Sequence, residues 1–341
     1  MFRVTKRLRL DVLRSKACGS LLEGRAPDVR RHLFTKEPFL APRMVNAEPL
    51  SPVTWLERAA TIFPRRTAIA YGDSVRLNYE ELLTEAQSLG GALSKAQIGQ
   101  GDVVSVLLPN VPTGIVCHFA VPGTGAILHM INTRLDAKAI AFQLEHAESN
   151  LILVDSELMA VATEALEIME EGQRPRLVWV SDPYIDDGED DELKGRAEEY
   201  KEFLRTGDPD FELKGPQDEF EAIALSYTSG TTGNPKGVLT NHRGAVLNCF
   251  NLTIMQGVTR FVPGGDHYWG RWPMISKPMV YLWILPMFHC NGWCFPWSVT
   301  LVGGTHVCLR HVRAGDAFRA MANEGVTHFC GAPGKRKKKK K

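Results

Sequence analysis

The chain has 341 residues, of which 44% are hydrophobic and 23% charged, and its formal net charge is +1 at pH 7. This composition excludes a disordered chain, and the near-neutral charge argues against a general nucleic-acid-binding protein. The length allows two domains or one large domain. The seven cysteines are scattered and odd in number, which predicts reduced thiols inside the cell rather than a disulfide framework. No apolar run is long enough to predict a membrane-spanning helix.

Residues 1–44 form a basic extension ahead of the first predicted strand. Lysine and arginine far outnumber aspartate and glutamate over most of this stretch. An arginine-rich, acid-poor N-terminus is typical of an organelle transit peptide, so we treat the extension as a candidate for one. A disordered basic tail and a misplaced start codon are the alternatives.

From residue 45 onward, strand and helix patterns alternate. Short apolar runs predict buried strands at residues 68–71, 103–108, 151–154 and 177–180. Asn78 with Glu81 predicts a helix that starts with a capping box, and Asp136 predicts the N-cap of another. The apolar stretch 113–130 predicts one more helix, disturbed at Pro122. Alternating helices and largely apolar strands predict an α/β fold with parallel-sheet layers covered by helices.

Two segments break this alternation. Residues 181–210 hold a run of acidic side chains. Because charge runs without ligand spacing usually stay in water, we expect a solvated surface connection there rather than a metal site. Residues 257–277 are rich in glycine, proline and tryptophan without a clear period. That segment is either an inserted loop or translated intron sequence.

One short loop concentrates the residue types that bind phosphate. It reads Leu-Ser-Tyr-Thr-Ser-Gly-Thr-Thr-Gly-Asn-Pro-Lys-Gly over residues 225–237 and follows a predicted buried strand. Glycines let backbone N–H groups approach an anion closely, hydroxyls donate to its oxygens, and lysine adds a mobile charge. The predicted phosphate ligands are Thr228, Ser229, Gly230, Thr231, Thr232, Gly233 and Lys236. Asn241 then predicts the N-cap of the next helix.

The spacing excludes a Walker A loop, because Gly230 and Gly233 are too close and Pro235 precedes the lysine. The twelve positions 225–236 all resemble the phosphate-binding signature of the AMP-forming acyl-activating superfamily. That superfamily includes acyl-CoA synthetases, luciferases and peptide-synthetase adenylation domains. The resemblance implies that residues 45–334 are a partial AMP-binding (adenylation) domain, the large N-terminal domain of the acyl-adenylate-forming fold. A Thr/Gly-rich surface turn is the alternative.

A second motif follows a predicted strand at residues 281–285. It reads Pro-Met-Phe-His-Cys-Asn-Gly-Trp over residues 286–293. Parallel sheets bind ligands at the carboxyl ends of their strands, and the superfamily lines its acyl pocket with a Pro-x-Phe-His segment here. The resemblance therefore assigns Phe288, His289 and Trp293 to the acyl pocket. The longer string is similar to the plant acyl-activating branch, which handles short-chain, medium-chain or aromatic acids. Trp293 and Trp297 either shorten the pocket or belong to the core.

A zinc site is the other chemistry that this segment suggests, through His289, Cys290 and Cys294. Structural zinc needs a second well-spaced pair of ligands, and none is evident. Cys308 lies in an apolar run and is expected to pack as a small hydrophobe. We therefore predict no metal site built from protein side chains.

The resemblance also implies a reaction. A carboxylate attacks the α-phosphate of ATP to give an acyl-adenylate and pyrophosphate, and the thiol of coenzyme A then takes the acyl group. The implied cofactors are ATP, Mg²⁺ and coenzyme A, and the implied partner is a small carboxylic acid. Thr231 and Lys236 are the predicted catalytic residues, because donors and cations stabilise charge on the departing pyrophosphate. A carrier-protein thiol is the alternative acceptor.

The family's downstream motifs have no counterpart in these residues: a Mg²⁺-binding glutamate, a ribose-binding aspartate, a hinge and a small C-terminal domain with a catalytic lysine. The basic tail at residues 335–341 is interpreted as an artefact of a truncated or mis-assembled gene product; a nucleic-acid patch is the alternative. We expect little turnover from this chain, which makes a non-catalytic nucleotide-binding fragment the alternative function. The expected location is mitochondrial or peroxisomal, and otherwise cytoplasmic.

Overall fold

The computed structural model describes residues 48–73, 75–185, 197–228, 235–258, 278–289 and 293–331. The basic extension (1–44), most of the irregular segment (257–277) and the basic tail (335–341) lie outside these ranges. The described residues form two sheets with helices packed against them, which confirms the predicted α/β class. Across these residues, no helix combines the length and apolar character that crossing a bilayer requires.

The larger sheet has seven described strands and carries the predicted phosphate loop. Its strands are β3 (Val103–Leu107), β4 (Ile127–Met130), β5 (Ser149–Asp155), β6 (Arg176–Val180), β7 (Glu198–Glu199), β8 (Ala222–Tyr227) and β9 (Gly237–Asn241). Their order in space is β7-β6-β5-β3-β4-β8-β9. Neighbours are parallel except β8 and β9, which form an antiparallel pair. All five residues of β3 are buried, as expected for a central strand of a parallel sheet with both faces covered.

The smaller sheet has five described strands and carries the second motif. Its strands are β1 (Thr67–Tyr71), β2 (Val75–Asn78), β10 (Val280–Leu282), β11 (Thr305–Cys308) and β12 (His328–Phe329), and their order is β12-β10-β11-β1-β2. Only the edge pair β1 and β2 is antiparallel among these strands. The main hydrophobic core includes residues of both sheets and of the helices between them.

The described helices are α1 (Trp55–Ile62), α2 (Tyr79–Lys95), α3 (Pro112–Gly123), α4 (Ala137–His146), α5 (Met159–Ile168), α6 (Tyr200–Arg205), α7 (His242–Val258), α8 (Phe295–Leu301) and α9 (Ala314–Glu324). Four of them, α2, α3, α4 and α7, begin within one residue of the predicted start. The capping box of α2 is confirmed: Asn78 Oδ1 accepts from Glu81 N at 2.9 Å, and Glu81 Oε2 accepts from Asn78 N at 2.7 Å. Asp136 caps α4, and Asn241 Oδ1 accepts from the Gly244 amide at 2.7 Å near the start of α7.

The prediction of one helix over residues 113–130 is wrong. The helix α3 ends at Gly123, with Pro122 in its last turn, and the chain then enters strand β4. The reversal occurs at Gly125, whose φ of +82° favours glycine. An unbroken apolar run does not reveal its period, so only the pairing of β4 with β3 and β8 makes this part a strand.

The acidic run at residues 181–210 is not wholly a surface connection, because its first carboxylate is buried. Asp182 accepts from the Tyr71 hydroxyl at 2.5 Å and from Arg310 Nη1 at 2.7 Å. Arg310 also pairs with Asp155, through Nη1 at 2.9 Å, and with Glu157 at 2.7 Å. Tyr71 ends β1 and Arg310 follows β11, and both strands belong to the five-stranded sheet. Asp155 ends β5, Glu157 follows it, and Asp182 follows β6, and these two strands belong to the seven-stranded sheet. This buried ionic cluster therefore joins the two sheets.

Histidine side chains are buried in the neutral form at several places in the core. His306 Nδ1 accepts from Trp283 Nε1 at 3.3 Å, since an indole N–H can only donate, and His306 Nε2 faces Thr300 Oγ1 at 3.2 Å. Burial, aided by nearby His118, lowers the pKa of His306 to about 3. Burial likewise lowers the pKa values of His118, His129 and His242, each to about 4.

These histidines predict acid sensitivity. An unfolded histidine titrates near pH 6.5, so below that pH the unfolded chain binds protons that the folded chain excludes. Their contribution to stability is therefore complete above about pH 6.5 and is lost as the pH falls toward 4, at about 1.4 kcal/mol per pH unit for each histidine. Urea unfolding at pH 7.5, 6.0 and 5.0 measures this slope. His306→Gln should reduce the slope by about one proton per molecule; an identical slope in that variant would contradict the assignment.

Candidate functional site

The predicted phosphate loop joins β8 to β9 at the carboxyl end of β8. The two strands pair from Ala222 with Asn241 to Tyr227 with Gly237, and the Thr228 amide donates to the Lys236 carbonyl at 3.1 Å. The structure therefore brings the two ends of the loop together and leaves both side chains exposed. The other predicted ligands, Ser229, Gly230, Thr231, Thr232 and Gly233, lie outside the described residues, and their role stays a prediction.

The base of this hairpin rests on aromatic and histidine side chains from other elements. The Tyr227 hydroxyl lies 2.7 Å from His146 Nδ1 at the end of α4. Burial raises the pKa of Tyr227 to about 12, so the hydroxyl keeps its proton. The Tyr227 ring also lies 5.1 Å from the ring of His129, whose Nδ1 is 2.8 Å from Ser105 Oγ. Sequence reasoning missed these supports, because no motif marks them and only the sheet brings them together.

The second motif follows β10 at the carboxyl end of the five-stranded sheet. The strand is shorter than predicted and ends at Leu282. Phe288 is half-buried against the core, whereas His289 is exposed. The His289 amide donates to the Pro286 carbonyl at 3.1 Å, and the His289 carbonyl accepts from the Trp293 amide at 3.1 Å. The three predicted acyl-pocket residues therefore share one tight segment, of which residues 290–292 lie outside the description.

The two tryptophans of this region have different surroundings. Trp297 is fully buried in α8, and its Nε1 donates to the His118 carbonyl of α3 at 2.8 Å, which makes it a core residue. Trp293 is half-buried and meets Trp297 edge to face, with ring centroids 5.4 Å apart. The His118 ring donates to the Gly114 carbonyl of the same helix at 2.6 Å and meets the Trp297 ring edge to face. Helix α3 therefore holds Trp297, which in turn contacts Trp293.

Of the candidate zinc ligands, Cys290 lies outside the described residues, His289 is exposed and Cys294 is buried. Cys294 Sγ accepts from Asn248 Nδ2 at 3.1 Å, and burial together with the neighbouring Cys249 thiol raises the pKa of Cys294. Cys308 is buried in β11 and packs as an apolar side chain, as predicted. Among the described residues, no group of three His, Cys, Asp or Glu side chains is arranged to hold a metal ion.

Comparisons with known proteins agree with this geometry. The family model described as AMP-binding enzyme matches residues 56–334. An acetate–CoA ligase from Humulus lupulus is 41% identical over 294 residues, covering 84% of this chain and 49% of that protein. An acetate/butyrate–CoA ligase from Arabidopsis thaliana, named peroxisomal, is 39% identical over 294 residues, covering 84% of this chain and 48% of that protein. The chain thus spans about half the length of the curated relatives it matches.

A solved structure has the same fold at lower sequence identity. A putative long-chain-fatty-acid CoA ligase from Rhodopseudomonas palustris superposes with a TM-score of 0.66 at 22% identity, covering 83% of this chain and 63% of that one. The predicted resemblance to the acyl-activating superfamily and to its plant branch is therefore confirmed. Because the family model matches residues 56–334, which is most of its length, this chain belongs to the AMP-binding enzyme family.

Proposed function

We propose that this protein is an AMP-forming acyl-CoA ligase that activates a small carboxylic acid. The observation that carries the proposal is the twelve-residue phosphate signature, placed between β8 and β9 at the carboxyl end of β8. Ligands of parallel α/β sheets bind at such ends. The similarity to two plant ligases named for acetate and butyrate supports the same activity.

In the proposed first step, a carboxylate oxygen of the acid attacks the α-phosphorus of ATP. The bond to the bridging oxygen breaks, and pyrophosphate leaves. Thr228, Ser229, Gly230, Thr231, Thr232 and Gly233 are proposed to surround the β- and γ-phosphates, with Lys236 near the γ-phosphate. Thr231 and Lys236 then stabilise the charge that grows on pyrophosphate. Of these loop residues the structure describes Thr228 and Lys236, whose side chains are both exposed. Mg²⁺ bound together with ATP would supply further neutralisation of the phosphate charge.

In the proposed second step, the thiolate of coenzyme A attacks the acyl carbon of the adenylate. The carbon–oxygen bond to AMP breaks, and the products are the acyl-CoA thioester and AMP. The thiol proton passes to solvent. The phosphate hairpin takes no part in this second step. A carrier-protein thiol in place of coenzyme A would therefore leave the first step unchanged.

The experiment that tests the proposal is ATP–pyrophosphate exchange with acetate, butyrate and benzoate as separate substrates. We expect exchange that depends on the added acid, followed by thioester formation once coenzyme A is supplied. ATP binding without acid-dependent exchange would favour the non-catalytic nucleotide-binding fragment. Exchange without a thioester would favour a carrier-protein acceptor.

The substrate class is proposed from the segment that carries Phe288, His289 and Trp293. The Trp293 indole is half-buried and packs against Trp297, which is itself fixed by its hydrogen bond to His118. Trp293, backed by the core residue Trp297, would shorten the acyl pocket, and the two plant relatives are named for two- and four-carbon acids. We therefore propose a short-chain acid.

Trp293→Ala should shift the preference toward longer acids. Removing the indole lengthens the proposed pocket, and each methylene gained or lost in an apolar pocket changes kcat/KM by roughly 10–200-fold. We expect the ratio of kcat/KM for hexanoate over butyrate, measured by exchange, to rise at least about tenfold. Trp55→Ala is the matched control, because Trp55 is a half-buried tryptophan of α1 that packs on Phe250. An unchanged ratio in Trp293→Ala would remove this residue from the pocket.

Domain limits and location are also proposals. We propose that residues 45–334 form a partial adenylation domain, with residues 1–44 and 335–341 outside it; limited proteolysis followed by mass measurement tests these limits. We propose a peroxisomal location on the likeness to a relative named peroxisomal. Imaging of the endogenous protein beside peroxisomal and mitochondrial markers decides this, and a mitochondrial signal would favour a transit peptide at residues 1–44.

A further inference from the structure

One buried amide connects the carboxyl end of β3 to the acyl-pocket segment. Asn110 is 6% exposed and lies three residues after the end of β3. Its Nδ2 donates to the Trp283 carbonyl at 3.2 Å and to the Leu285 carbonyl at 3.0 Å. Its Oδ1 accepts from the Met287 amide at 3.0 Å. All three hydrogen bonds therefore go to the main chain of residues 283–287, immediately before Phe288 and His289.

These contacts cross between the two sheets. Asn110 follows a strand of the seven-stranded sheet, which also carries the phosphate hairpin, whereas residues 283–289 follow β10 of the five-stranded sheet. Adenylation requires the carboxylate oxygen and the α-phosphorus to lie about 3–3.5 Å apart and in line, and a misplacement of 1 Å can cost 10²-fold in rate. The position of the acyl segment relative to the seven-stranded sheet is therefore a property on which the reaction depends.

The side-chain chemistry at this position is specific. The segment presents two carbonyl acceptors and one amide donor, and an asparagine amide supplies two donors and an acceptor in one plane. An aspartate of the same shape would still accept from Met287, but its second oxygen would face two carbonyls without a proton to donate. The Met287 side chain also lies close to Gly114 of α3. A Cβ added at Gly114 would be only 3.0 Å from Met287 Sδ.

We propose that Asn110 is a positioning residue for adenylation. It holds the main chain before Phe288 and His289 at a fixed place relative to the phosphate hairpin, so that the acid's carboxylate faces the α-phosphate of ATP. This inference rests on the proposed function of the site. Asn110 itself contacts neither substrate; it acts through the segment that it binds.

The test compares Asn110→Ala and Asn110→Asp with Asn150→Asp in the full chain. Asn150 is the control: its Oδ1 likewise accepts from a main-chain amide, Val103 N at 3.0 Å, but it is exposed and lies at the opposite end of β3. Hydrogen exchange followed by mass spectrometry reports the protection of residues 283–289, and ATP–pyrophosphate exchange gives separate constants for the acid and for ATP.

We expect both Asn110 variants to exchange the amides of residues 283–289 at least about tenfold faster, since hydrogen bonds to the segment are lost or opposed. We expect kcat/KM for the acid to fall by about 10²-fold while KM for ATP stays within about twofold. Asn150→Asp should change neither quantity.

Two results would overturn the proposal. One is faster hydrogen exchange with unchanged constants for the acid, which would make the amide merely structural. The other is a parallel loss of thermal stability, acid use and ATP binding, which would show a general defect.

If the wild-type chain shows no acid-dependent ATP–pyrophosphate exchange, that result counts against the proposed function and not against the positioning role of Asn110. The test is then the binding of a non-hydrolysable acyl-adenylate analogue, an acyl sulfamoyl-adenosine. Weaker analogue binding in Asn110→Ala, with unchanged ATP binding, supports the positioning role. Equal binding by the two chains, or no binding by the wild type, overturns it.

Discussion

Replacing Arg310 with methionine is expected to lower the free energy of unfolding by about 3–5 kcal/mol, because the change leaves buried carboxylates without their cation. The Arg310 side chain is 5% exposed, and its partners Asp155 and Asp182 are 1% and 3% exposed. Burial alone would lower the pKa of Arg310, but hydrogen bonds and charges from Asp155, Glu157 and Asp182 raise it instead. The guanidinium is therefore charged, and urea unfolding at pH 7 followed by circular dichroism measures its loss.

The matched control for this prediction is Arg319→Met. Arg319 is 77% exposed on α9 and pairs with Asp316 one turn away, so its removal should change stability by less than about 0.5 kcal/mol. The double variant Arg310→Met with Asp155→Asn should recover part of the loss, since it removes one of the unpaired charges. A loss below about 1 kcal/mol in Arg310→Met would show that this cluster does not join the two sheets energetically.

Thr231→Ala and Lys236→Ala are expected to reduce acid-dependent ATP–pyrophosphate exchange by about 10²–10³-fold each, the size seen when one transition-state donor is removed. The reason is the charge that develops on pyrophosphate as it leaves. Thr231→Ser and Lys236→Arg keep a hydroxyl and a cation respectively, and they should retain more activity than the alanine variants. Exchange rates at saturating acid and ATP measure the effect.

The control for the loop variants is Lys214→Ala. Lys214 is 71% exposed, pairs with Glu212 and lies outside the hairpin, so this variant should keep wild-type exchange. ATP affinity is measured in parallel, because a loss of binding and a loss of chemistry have different meanings. Unchanged ATP affinity and unchanged exchange in both alanine variants would remove the loop from the reaction.

Much of the local structure was predictable, because its causes lie close together in the chain. The capping box at Asn78 and Glu81 needs residues three apart, and both hydrogen bonds form. The apolar runs in β3 and β5 are buried because burial removes apolar surface from water, whereas Leu177 and Trp179 of β6 are only partly buried. The end of α3 was not predictable, since an apolar run is compatible with a helix or a strand and only pairing with neighbouring strands distinguishes the two.

The candidate site divides in the same way. The candidate phosphate loop and the candidate acyl segment were predictable from short runs of sequence, because glycine, hydroxyl and lysine residues stand there at a recognisable spacing. Contacts between distant residues arise only on folding: Arg310 meets Asp182 across 128 positions in the buried ionic cluster, and Asn110 meets Leu285 across 175 positions just before the acyl segment. A carboxylate in an acidic run and an asparagine after a strand carry no local sign of their partners. Their roles arise because folding places them in a dry interior, where a polar group needs a partner that the distant chain supplies.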